Sequence, residues 1–138
     1  MAPHVEWIDG PVDPLGLYRF LLAGKRPGPS ALLESARTGS VTGRYSLIAT
    51  DSFMSLSSRQ SNKNPFDALQ KTLRKFSAGA SDSTDALFLG GAIGSVSYDA
   101  KRWVEPRASF KRNTGSEFPE MYFLFFYEGI WVDHHKRG

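Results

Sequence analysis

A chain of 138 residues that is 41% hydrophobic has material for one folded core and too little for two. Its lack of cysteine excludes a disulfide framework and any thiolate metal site, and fits a reducing compartment. The excess of 17 Lys and Arg over 14 Asp and Glu, a net charge of +3, is small, and part of it sits in Lys111-Arg112 and Lys136-Arg137, where solvation accounts for it. No nucleic-acid partner is therefore expected. Nor is a membrane partner, because no apolar run approaches the roughly 20 residues of a spanning helix and no basic-then-hydrophobic leader opens the chain. The expectation is a soluble, cytoplasmic protein.

In chain order, Asp13-Pro14 followed by LGLYRFLLAG reads as a helix: Asp13 caps the free amides, Pro14 fits the first turn, and Gly24 can take the left-handed closing position. Leu15, Tyr18, Leu21 and Leu22 give it one apolar face. Pro27, Gly28 and Pro29 enforce extended backbone, and Ala31 to Ser35 follows as the first strand. Arg44 to Thr50, the turn Asp51-Ser52 and the alternating Phe53 to Ser57 continue as an antiparallel meander. Asn64-Pro65 opens a second helix, with Phe66, Leu69, Leu73 and Phe76 on one face and Lys71, Arg74 and Lys75 in its C-terminal half, where cations suit the helix dipole.

Ser77 to Asp85 is a polar linker. The strand after it carries Gly90, Gly91 and Gly94, which signal a bulge, a bend or the close approach of another backbone. Asp99 is placed to cap a short helix through Trp103. Then MYFLFFY, Glu128-Gly129 and IWVDHH read as a hairpin, its first strand apolar on both faces and so covered on both sides. The fold expected is α+β, with antiparallel sheet and two main helices in a single domain over residues 1–138.

Within this frame the stretch from Ser30 to Ile48 concentrates the polar chemistry. Two apolar strands abut Glu34-Ser35 and Arg44-Tyr45-Ser46, and burying such groups costs free energy unless they are paired. Catalytic patterns are lacking elsewhere. His134 and His135 point to opposite faces if they lie on a strand, which is poor geometry for one metal. No serine has the strand-turn-helix glycine context of a nucleophile elbow, and the glycines match neither phosphate-binding pattern.

Five motifs in order carry a resemblance. LLESA at Leu32 to Ala36, GRYS at Gly43 to Ser46, NPFDAL at Asn64 to Leu69, GGAIG at Gly90 to Gly94 with Ser97-Tyr98-Asp99, and Asp133-His134 together resemble the N-terminal domain of component I of the chorismate-using amidotransferase synthases. That family comprises anthranilate synthase and aminodeoxychorismate synthase, and the likeness runs from about Pro14 to Gly138. LLESA, GRYS and the DPLGLYRFLLAG helix look more similar to the aminodeoxychorismate branch of folate synthesis than to the tryptophan branch. Two positions depart from the family pattern: Asp51-Ser52 stands where Asp-Pro is usual, and Ser95 where an aromatic is usual.

The resemblance implies a tryptophan pocket lined by Leu33, Glu34, Ser35, Tyr45 and Ser46. A carboxylate and a hydroxyl would meet the α-amino group, and an apolar wall would accept the indole. For Glu34 a structural bridge to Arg44 stands as the alternative. The resemblance also implies partners, a chorismate-binding catalytic domain and a glutamine amidotransferase subunit. The family's Mg2+ carboxylates and acid-base groups belong to that catalytic domain, which these 138 residues do not contain. Neither a cofactor in this chain nor turnover by it alone is expected, and Mg2+ belongs to the holoenzyme.

Overall fold

The computed structural model describes residues 4–23, 28–34, 43–58, 63–76, 90–105, 107 and 118–135. Helix α1 spans Pro14–Leu22, its first turn held by Asp13, whose carboxylate accepts from the backbone N–H groups of Leu15 at 3.2 Å and Gly16 at 2.9 Å. Its C-cap is Ala23; the expected closing Gly24 lies outside the described residues. Helix α2 spans Pro65–Phe76, started by Asn64, whose side-chain oxygen accepts from the Phe66 N–H at 3.0 Å. Both starts follow the expected pairing of a capping side chain with a proline that lacks the unneeded donor.

Among the described residues, six strands form two antiparallel three-stranded sheets: β1 (Ala31–Leu33), β2 (Tyr45–Ala49), β3 (Met54–Ser58), β4 (Gly91–Val96), β5 (Met121–Phe126) and β6 (Ile130–Asp133). The first sheet has the order β1-β2-β6 and the second β3-β5-β4. The fold is therefore α+β, as the strand and helix patterns required.

Two expected connections are corrected. The meander breaks after β2, because β3 pairs with β5 in the other sheet. The hairpin at Glu128-Gly129 is likewise a crossing between sheets, since β5 pairs with β3 and β4 while β6 pairs with β2. A short turn reverses the chain equally well within a sheet or from one sheet to the next, and here burial decides. Met121, Leu124, Phe125 and Phe126 put buried residues on both faces of β5, which is satisfied at the centre of a covered sheet.

Strand register sorts the faces. Ala31 and Ala49 lie opposite each other in the first sheet and pack with Leu124, Phe126 and Ile93 of the second, which closes the core between the sheets. The alternate β2 residues Ser46 and Ile48 are buried on the other face, and α1 lies against this strand. The other face of the second sheet carries Phe125, and Phe76 of α2 reaches within 6.2 Å of its ring and 5.2 Å of Phe53. Phe53 in turn stacks on Tyr127 at 3.8 Å. Full burial of Ile48, Met121, Phe125 and Phe126 contributes about 1.5–3 kcal/mol each.

Gly94 answers the glycine question. A Cβ there would collide with the carbonyl oxygen of Tyr122 and come within 2.7 Å of the Phe123 Cα, so β4 and β5 touch backbone to backbone. Beyond β4, the short helix is a 3-10 turn, Tyr98–Ala100, continued by α3, Lys101–Val104. Asp99 falls inside that turn and Ser97 holds the cap position without a side-chain bond, so the expected Asp99 cap is not made. What fixes this segment is Glu120, 8% exposed, which pairs with Arg102 at 2.8 Å and accepts from the Trp103 indole N–H at 3.0 Å.

Candidate functional site

The register of the first sheet builds one cross-strand row from Leu33, Leu47 and Trp131, and a second from Tyr45 and Asp133 on the same face. β1 runs antiparallel to β2, so Glu34, one residue past Leu33, lies at the end of the sheet where Arg44 leads into Tyr45, the first residue of β2. Leu33 is half exposed and Glu34 exposed. Ser35 lies outside the described residues. Ser46 sits on the opposite face of β2, 1% exposed, with its hydroxyl 2.8 Å from Nε2 of His134. The structure thus brings Leu33 and Tyr45 onto one surface with Glu34 at its edge, and turns Ser46 away from it.

Around Tyr45 the groups interlock. Its ring meets Trp131 edge to face at 5.7 Å, and Trp131 meets Trp7 in the same way at 4.8 Å. The Arg44 guanidinium lies 4.8 Å from the Tyr45 ring centroid and donates twice to Asp133, from Nε at 3.0 Å and from Nη2 at 2.7 Å. That hydrogen bond, joined by the charge of Asp133 and opposed by desolvation, raises the Arg44 pKa, so the group stays cationic at any working pH. Asp133, 5% exposed in its side chain, also accepts the His135 N–H at 3.0 Å, and the His134 N–H donates to the Arg44 carbonyl at 2.8 Å.

Arg44 is therefore bound to Asp133, and among the described residues Glu34 makes no ion pair with it. The bridge considered for Glu34 is replaced by one that spans 89 positions in sequence, which local spacing had no means of indicating. Trp7 and Trp131 are the site residues that sequence reasoning missed. The available signal was the alternation of IWVD, which matches that of YSLI and places Trp131 beside Leu47 once the two strands are paired.

Chemically this surface can bind a planar apolar group against Leu33, Leu47 and the aromatic rings, with the exposed carboxylate of Glu34 at its edge and a fixed cation nearby. Among the described residues it holds no exposed nucleophile. The Ser46–His134 pair has the elements of an activated hydroxyl, but burial of Ser46 leaves a substrate no approach. His134 and His135 form a turn after β6 and are not strand residues, and no group of three or more His, Asp or Glu is placed to hold a metal among the described residues. A separate hollow lined by Phe66, Leu69, Leu73 and neighbouring residues of α2 shares no residue with this surface. No described helix is long and apolar enough to cross a membrane.

No protein-family model matches the chain. Over 98 residues, 69% of its length, it is 30% identical to the anthranilate synthase component 1 of Saccharomyces cerevisiae, and it spans 19% of that protein. The sequence is thereby distantly related to the chorismate-using synthases, in keeping with the resemblance its motifs carry.

Proposed function

We propose that the chain is the non-catalytic N-terminal domain of a component I synthase, and that it binds tryptophan or a close aromatic amino acid as a structural or regulatory ligand. The observation that carries this reading is the row Leu33–Leu47–Trp131, flanked by Tyr45, with the exposed carboxylate of Glu34 at its end. The indole would lie on the row, and the α-amino group would be met by Glu34 and Ser35. Ser46, buried and bonded to His134, would act behind the strand by holding β2 against the turn after β6.

Calorimetry with L-tryptophan tests the ligand. Micromolar binding that falls at least tenfold in Ser35→Ala and in Glu34→Gln supports it, whereas no heat with the unmodified chain would leave a structural domain only. The partners proposed are a chorismate-binding catalytic chain, which holds Mg2+, and a glutamine amidotransferase subunit. Co-purification of the catalytic chain with this one is the corresponding measurement, and its failure would remove the partner part of the reading.

Two branches of chemistry fit such a domain. LLESA and GRYS favour aminodeoxychorismate synthase and para-aminobenzoate formation for folate. The name of the yeast relative favours anthranilate synthase and tryptophan formation. Supplied together with its catalytic chain, the protein should relieve either a para-aminobenzoate requirement or a tryptophan requirement in an auxotrophic host, and the requirement relieved names the branch.

A further inference from the structure

Residues His4 to Asp13 are exposed and belong to no helix or strand, yet they deliver Trp7 to the edge of the candidate site. Trp7 is 52% exposed, and its ring stands at 77° to Trp131 with centroids 4.8 Å apart. Trp131 has Tyr45 as its other ring partner and Leu47 as its cross-strand neighbour. An aromatic ligand seeking the ring of Trp131 therefore meets Trp7 already in contact with it.

The segment is tied to the fold by its C-terminal end and carries one backbone turn. It is anchored at Asp13, which caps α1, and turns at Gly10, whose φ of +142° is closed to most side chains. Six residues from the anchor, Trp7 has a reach of about 20 Å, enough to leave the site and return to it.

We infer that Trp7 is an intramolecular occupant of the aromatic surface formed by Trp131 and Tyr45, a strap that a free aromatic amino acid must displace in order to bind. The inference rests on the amino-acid-binding reading above and adds the mechanism that sets apparent affinity. A tethered competitor lowers affinity by the fraction of molecules in which it has left the site. For one edge-to-face aromatic contact, that fraction corresponds to about a two- to tenfold effect.

The test compares L-tryptophan binding to the full chain, to Trp7→Ala and to Trp131→Leu by calorimetry, with melting curves as a check on folding. Trp7→Ala should bind about two- to tenfold more tightly, and Trp131→Leu should bind more weakly. Equal or weaker binding by Trp7→Ala overturns the strap, because Trp7 would then be a bystander or a wall of the site. If neither the unmodified chain nor Trp7→Ala binds, the amino-acid reading fails and the strap with it. Binding by the unmodified chain without a gain in Trp7→Ala removes the strap alone.

A second readout uses protein labelled with 5-fluorotryptophan, which has three indoles to resolve by fluorine NMR. The Trp131 resonance should move on Trp7→Ala and move again when L-tryptophan saturates the unmodified chain. A Trp131 resonance that ignores the Trp7→Ala substitution overturns the contact itself.

Discussion

Gly94 shows how far one residue can be read. Its place among three glycines in a strand signalled a close backbone approach, and the Tyr122 carbonyl and Phe123 Cα are what it approaches. Gly94→Ala forces β4 and β5 apart where their backbones touch, and a loss of about 1–3 kcal/mol is expected. At about 4 °C per kcal/mol this appears as a clear fall in thermal midpoint, and an unchanged midpoint would mean that the strands separate without cost. Ser46 marks the opposite limit. Its neighbours in sequence predict a strand, but its partner His134 lies 88 positions away, so its burial and bonding were invisible until β6 was paired with β2. Ser46→Ala removes that bond and leaves the imidazole free to meet water, for an expected loss of about 1 kcal/mol by denaturant titration.

Elements with internal periodicity were legible; those defined by distant pairing were not. Helix α2 follows from Phe66, Leu69, Leu73 and Phe76 with Asn64-Pro65 before them, and α1 from Asp13-Pro14. Asp13→Ala should lower stability by about 0.5–2 kcal/mol and Asp13→Asn by less, because asparagine still accepts from the first-turn amides. The 3-10 turn and α3 depend instead on Glu120, which no local rule links to Arg102 and Trp103. Removing the cation from a mostly buried pair costs more than its net attraction. Arg102→Met should thus destabilise by about 2–3 kcal/mol, and Arg102→Met with Glu120→Gln by less than the two single changes added together. Strict additivity in that cycle would show that the two side chains act independently.

At the scale of the molecule, composition and alternation sufficed for the α+β class, while the partition of six strands into two sheets was hidden in two short connections, Thr50 to Phe53 and Tyr127 to Gly129. The surface carries many apolar side chains, among them Ile8 and Phe118 at 84% exposure, Tyr98 at 80% and Val104 at 72%. Such surface favours association. Sedimentation velocity across a concentration series should show reversible oligomers of the isolated chain, suppressed when the proposed catalytic chain is added. A monodisperse monomer at high concentration would speak against a covering partner.

The pairing of β2 with β6 also sets a timetable for synthesis. β2 is complete at Ala49, but its second neighbour, ending at Asp133, leaves the ribosome more than eighty residues later. Until then Ser46 lacks His134 and Arg44 lacks Asp133, and the strand waits with one edge unpaired. The loop it must close is long, and such non-local closures slow folding. The nascent chain is most exposed to misassociation along that edge, and a chaperone, or early contact with a partner protein, would help most in this interval.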